Sequence, residues 1–321
     1  MPVVAASTSG SELPVTVSDL IAATRDHLQG TYRSEWNTLA ADMAASDTTL
    51  TVGGALGGIV RTSYICIDDE ILYVLNTNPT TGIVNVIRGF DGTAAAAHTS
   101  GALVEVTPRF PRHMIRRQLA LEIASWPDNL FQVAQATVTL NANGATFAYD
   151  LGVPSGQVLY LLDVRHAPWD GTFRNTWPTF AYPPKLNRNV DPAVFPSGVV
   201  LEVPAVDPNG CATVIGNVAC RVTYATGFNL ASMDDTVLLG AGGLGLAASM
   251  LDIPPLGAAS RLMGPREALR TFGEAMDQTR NSQDVPPGAA MKVAMYLKAS
   301  RDQRIAEEME HLNVTWPSRV K

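Results

Sequence analysis

The chain has 321 residues, 46% of them hydrophobic and only 17% charged, with a formal net charge of −7. That length suggests two or three domains, each able to bury a core. The acidic balance argues against a general nucleic-acid binder, which needs a basic face to neutralise phosphates.

In chain order, residues 1–13 are small and polar without periodicity and read as a flexible arm. "TVSDLIAATRDHLQG" is predicted helical. Thr16 or Ser18 caps it, Asp19 sits in the first turn, Leu20, Ile21, Thr24 and Leu28 share a face, and Gly30 stops it. From Thr49 the pattern changes to short strands: Thr49–Val52, Ser63–Ile67, Glu70–Leu75, Ile83–Ile87 and Ala102–Val106. Turns at Asp68-Asp69, "NTNPTTG" and "FDGT" separate them. Five such strands suggest a small closed, SH3-like barrel. The run "AAAAH", Ala94–His98, is expected to be a short helical turn that closes it.

"RFPRHMIRRQLALEIASWP" returns to helical spacing, with Pro111 at the first helical position and Met114, Ile115, Leu119 and Ile123 as its apolar stripe. From Gln132 to Tyr224 strand-like segments dominate, among them "ATVTL", "QVLYLLDVRHA", "VVLEV" and "CRVTYAT", and indicate an antiparallel β-sandwich. After Asp252 the chain is helical again. One helix carries Gly264-Pro265, where it is expected to kink or break. A second starts after Pro286-Pro287, and the two read as an antiparallel hairpin. The fold class is therefore multidomain α+β. The domains are an arm at 1–13, a helix with barrel and linking helix at 14–127, a sandwich at 128–235, a Gly-rich linker at 236–254 and a helical hairpin at 255–321.

Several motifs invite chemistry. Gly240, Gly242 and Gly245 spell G-x-G-x-x-G, but no second parallel strand follows to carry a ribose-binding acid, so the run reads as a linker. Arg109, Arg112, His113, Arg116 and Arg117 form a basic group on one helix. They are read as a solvated face, or as one that pairs with acids on a neighbouring subunit. His98 near Asp91 invites a base-and-orienter reading, yet no nucleophile motif accompanies it. A structural role is expected both for His98 and for Asp68, Asp69 and Glu70, which are placed in a tight turn. The histidines have no metal-ligand spacing. Trp169, Phe173 and Trp177, with Arg174, either stack on sugars or anchor a protein interface. Cys66, Cys211 and Cys220 do not make a disulfide framework or a zinc ribbon. Cys211 and Cys220 either pair across a hairpin or sit as small apolar residues in strands, and the latter is the commoner habit. Neither a signal peptide nor a membrane-crossing run is expected.

"DLIAATRDHLQGTYRSEWNTLAADMAASDTTLTV", "YICIDDEILYVLN" and "IRGFDGTAAAAHTSGALVEVTPRF" together resemble virion structural proteins of tailed phages, especially those infecting actinobacteria. The "IDDEILYV…VIRGFDGTAAAAH" block is similar to a small β-module of phage neck, tail and baseplate proteins. "LGAASRLMGPREALRTF…VPPGA…RDQRIAEEMEHL" resembles the helical ending of the same family, except at Gly264-Pro265, where the family continues with good helix formers. The resemblance covers roughly Val15 to Arg109 and Pro255 to Pro317. It implies a virion part assembled in the host cytoplasm, a homo-oligomeric ring at the head-to-tail junction (neck or connector) or along the tail. Its implied partners are other virion proteins, such as portal, adaptor, tail or baseplate proteins. It implies no enzyme, no cofactor, no metal, no membrane and no specific nucleic acid, although DNA passes through such a ring. Arg109, Arg112, Arg116, Arg117, Trp169, Phe173 and Trp177 are the candidate subunit or partner contacts. The alternative is a tail-tip or baseplate minor tail protein whose sandwich binds host-surface glycans.

Overall fold

The structure, a computed structural model, describes residues 16–29, 35–126, 130–140, 148–166, 184–188, 190–203, 218–231, 233–240, 242–276 and 288–317. It is mixed α+β. Two compact units are present. The first comprises Met1–Ile123, Ala231–Leu239 and Met250–Asp302, and the second Ala124–Leu230, Gly240–Ser249 and Gln303–Lys321.

The first unit opens with α1 (Val17–Gln29). Thr16 and Asp19 cap it reciprocally: the Thr16 N–H donates to Asp19 Oδ2 at 2.9 Å, and the Asp19 N–H donates to Thr16 Oγ1 at 3.4 Å. The expected apolar face is buried, with Val17, Leu20, Ile21, Thr24 and Leu28 inside. Gly30 lies outside the described residues.

A six-stranded antiparallel sheet follows. Its strands are β1 (Glu35–Thr38), β2 (Thr49–Thr51), β3 (Tyr64–Ile67), β4 (Glu70–Asn78), β5 (Ile83–Ile87) and β6 (Leu103–Val106), in the order β1-β6-β3-β4-β5-β2. Strand β1 has no alternating pattern of its own and was not expected from sequence. Its pairing with β6, Glu35↔Val106 through Thr38↔Leu103, makes it a strand. The sheet curls until its outer strands meet. Leu39, just after β1, bridges Val52, just after β2, and the Gly53 N–H donates to the Thr38 carbonyl at 2.7 Å. Inside the curl Leu39, Leu50, Val52, Ile59, Ile65, Ile67, Leu72, Val74, Val84, Val86 and Val104 form one apolar core. Alternation explains this: Val84 and Val86 point in while Ile83 and Ile87 point out. Residues 93–97 form neither helix nor strand, which corrects the expected turn at "AAAAH". Hydrogen bonds to neighbouring strands, given below, hold this backbone, and they override the helical propensity of alanine.

Helix α2 (Arg112–Ala124) buries Ile115, Leu119 and Ile123 of the expected stripe, together with Glu122, while Met114 is half-buried. The first unit also holds α3 (Ile253–Met276), an unbroken helix through Gly264-Pro265. Proline there removes one backbone donor. Burial of Ile253, Ala258, Ala259 and Leu262 anchors the preceding turns. Helix α4 (Ala289–Thr315) is divided between the units after Asp302.

In the second unit, β7 (Gln132–Leu140), β12 (Val218–Thr226) and β9 (Tyr160–His166) make one antiparallel sheet in the order β7-β12-β9. Strands β10 (Lys185–Asn187), β11 (Val200–Glu202) and β8 (Ala148–Asp150) make another, in the order β10-β11-β8. Both feed one core: Val138, Leu140, Leu161, Cys220 and Val222 from the first, Tyr149 and Leu201 from the second. Burial pushes the Cys220 thiol up to about 12, so it is inert. Cys66 is also free and buried. Cys211 lies outside the described residues, as does the question of its pairing.

Candidate functional site

The most concentrated chemistry lies where the hairpin of β3 and β4 meets the segment after β5. Ile67 pairs with Glu70, so Asp68-Asp69 is a two-residue turn, as expected. Asp68 takes a left-handed φ of 53°, which aspartate tolerates better than most residues. Glu70, the first residue of β4, is thereby turned into the interior, 2% exposed.

A bare carboxylate cannot persist there, and Glu70 is not bare. The Arg88 Nε and Nη2 donate to its two oxygens at 2.7 Å each. The Gly89 N–H donates to Oε1 at 2.9 Å and the Ala96 N–H to Oε2 at 3.0 Å. His98 Nε2 lies 2.9 Å from Oε2. Burial by itself would raise this carboxyl; the donors outweigh it and bring it down to about 2. The left-handed Gly89, at φ 59°, makes the approach possible, since a Cβ there would meet the Thr93 carbonyl oxygen at 2.9 Å.

Arg88 also donates through Nη1 to the carbonyls of Ala44, at 2.7 Å, and Asp47, at 2.9 Å. His98 places Nδ1 3.0 Å from Asp68 Oδ2. Its backbone pairs with Met43 in both directions at 2.8 Å. The hydrogen bond with His98 holds the Asp68 carboxyl below the usual range, against a smaller effect of burial. Four side chains from three sequence regions thus close one cluster, with two carboxylates facing a guanidinium and an imidazole.

This arrangement differs from the base-and-orienter pair suggested by His98 and Asp91. Asp91 occupies a left-handed turn position, φ 54°, and the partners of His98 are Asp68 and Glu70. Both ring nitrogens face carboxylates, so neither is directed at a nucleophile. Sequence reading found His98, Asp68 and Glu70, but neither Arg88 nor the meeting of the four. His98 is thirty residues from Asp68, and pairing over that distance leaves no periodic signal.

The basic group of α2 is placed beside this cluster. Arg112 donates through Nη2 to Ser18 Oγ at 2.9 Å and pairs with Asp235 at 2.6 Å. Arg116 pairs with both Asp69 and Asp235. These two arginines therefore meet acids of their own chain. Burial raises the Asp69 carboxyl, and Arg116 opposes this. Burial likewise lowers the His113 imidazole. Arg109 and Arg117 are exposed. Trp169, Phe173, Arg174 and Trp177 lie outside the described residues.

A further ion-pair centre joins helices of the first unit. Glu122 is 1% exposed and accepts from Arg261 Nε at 2.9 Å and Arg301 Nε at 2.6 Å. The glycine run gives no phosphate cradle. The Gly243 and Gly245 N–H groups donate to the Gly240 carbonyl, and only a single 3-10 turn, Ala248–Met250, follows before α3. Leu239, Leu244 and Leu246 in this stretch are buried. Among the described residues no group of three or more metal-ligating side chains converges, and no helix is long and apolar enough to cross a membrane. In comparison with known proteins, no family model matches the chain and no curated protein matches it.

Proposed function

We propose that this chain is a structural subunit of a tailed-phage virion, built into a ring at the head-to-tail junction or along the tail. The reading starts from the resemblance of "IDDEILYV…VIRGFDGTAAAAH" to a phage β-module. One observation carries it furthest. In that block Asp68, Glu70, Arg88 and His98 form a cluster, each already engaged within the chain. Such a cluster fixes shape, its groups committed to one another. In finer terms we read the curled sheet as a small SH3-like barrel, the two three-stranded sheets as a β-sandwich, and α3 with α4 as a helical hairpin.

Copies in a closed ring bury heterologous interfaces around the axis. Arg109 and Arg117, exposed on and beside α2, are the basic candidates for such contacts. The partners are further copies and neighbouring virion proteins, and the acidic balance suits a channel that DNA traverses without adhering. Mass photometry and negative-stain imaging of the purified full chain test this. A closed ring of uniform size is expected, and the protein should localise to the neck or tail in images of intact virions. A monomer at all concentrations that is absent from particles overturns the reading. Tight DNA binding at physiological salt would remove the channel. The glycan-binding alternative rests on Trp169, Phe173 and Trp177, and a glycan array separates it from the ring.

A further inference from the structure

The His98 imidazole lies between two carboxylates, with Nδ1 3.0 Å from Asp68 Oδ2 and Nε2 2.9 Å from Glu70 Oε2. An ionised carboxylate accepts and never donates. Only the doubly protonated ring offers a donor to each. A neutral ring turns one nitrogen lone pair onto a carboxylate oxygen, at a side chain only 2% exposed. We propose that His98 is a proton-operated latch: doubly protonated, it ties residues 93–101 to the Asp68-Asp69 turn and the start of β4, and loss of one ring proton at alkaline pH releases that segment.

The charged groups around it define what the proton does. Asp68 faces the ring from the turn and Glu70 from β4. Arg88 lies behind Glu70 and already balances one carboxylate. Arg112 and Arg116 of α2 act on Asp68 from further away. With His98 charged the four-member cluster is neutral; without that proton it carries an excess negative charge.

The tie reaches past the side chain. His98 and Met43 exchange backbone hydrogen bonds, the Ser100 N–H donates to Asp42 Oδ1 at 2.7 Å, and the Ser100 hydroxyl donates to the Ala40 carbonyl at 3.0 Å. Release of 93–101 therefore loosens 40–43, next to the Leu39↔Val52 bridge that closes the curl. The hydrogen bond to Asp68, helped by Glu70 and opposed by burial, raises the His98 pKa above the usual histidine value. A raised folded-state value gives a tie that is complete below the ordinary value and is lost as pH rises through the folded one. The latch does not depend on the virion reading.

The test is a proton NMR titration of the full chain, with amide exchange followed over the same pH range. His98 should titrate above the ordinary histidine value and at a more alkaline pH than His113. Amide protection at Met43, Ala96 and His98, corrected for intrinsic exchange, should fall about tenfold per pH unit from about 6.5 up to the His98 midpoint and then level off. Asp68→Asn keeps a residue that tolerates the left-handed turn and removes one carboxylate, so the midpoint should move down. A wild-type midpoint at or below the ordinary histidine value overturns the latch. So does protection that stays flat across that range, or a midpoint unmoved by Asp68→Asn.

Discussion

The two units solve the same problem by different means. In the first, Glu70, Glu105 and Glu122 are buried and meet cations or donors from distant parts of the chain, and buried His98 meets two carboxylates. In the second, the core shared by the two sheets is aliphatic, tyrosine and cysteine. The difference follows what has to be fixed. In the second unit the unbroken pairing of β7 with β12, Val218↔Leu140 through Thr226↔Gln132, joins the backbones of those two strands without side-chain help. In the first, segments 40–47 and 89–101 are irregular, and their carbonyls and amides need side-chain partners. Charged side chains reach such groups with directional bonds, at the cost of desolvating charge.

The sharpest way to break this contrast is Glu70→Ala. It strands Arg88 and His98 beside an empty space and should cost about 3–5 kcal/mol. Denaturant unfolding followed by amide exchange should show the loss in β3–β6 and leave β7, β9 and β12 protected. An equal loss in both units would mean that they do not differ as described. In the second unit, Leu201→Ala, at a fully buried position, should cost about 2–5 kcal/mol with no change in pH dependence. Gly257→Ala sharpens the helical part of the contrast. A Cβ there would fall 2.2 Å from the Glu122 carboxyl carbon, so overpacking of about 1–3 kcal/mol is expected, and Glu122→Gln in the same background should not restore it.

Acid provides a milder probe. The Glu70 and Asp68 carboxyls are held below their ordinary values. Their contribution is therefore complete above about pH 4.5 and is lost as pH falls, for Glu70 through about 2. The first unit should lose protection on acidification faster than the second, where burial raises the Asp150 carboxyl but bonds from Ser197 and Gly152 together outweigh it and lower it. Arg117→Ala, on the exposed face of α2, should stay within about 0.5 kcal/mol by thermal unfolding of the isolated chain.

Much of the fold was legible from local pattern. Val84 and Val86 against Ile83 and Ile87, the α1 face, the α2 stripe and the Asp68-Asp69 turn are all period or turn-chemistry signals, and all stand in the structure. The candidate site was legible only as parts. Its histidine and acids were noted, but Arg88 was not, because a lone arginine after a strand has no pattern that marks it as buried. Strand β1 was missed for a related reason: "EWNT" becomes a strand only through β6.

Sequence alone thus determined the alternation of helical and strand-like regions, the acidic balance and the turn residues, because these depend on neighbours a few positions away. Tertiary structure decided which charges meet. It kept Ala94–Ala97 out of a helix, with the Ala96 N–H bonded to Glu70, and it gave Arg112 and Arg116 to Asp235. Hydrogen bonds and ion pairs between residues far apart in the chain are made by the closing of the fold, and no local window of sequence contains both partners.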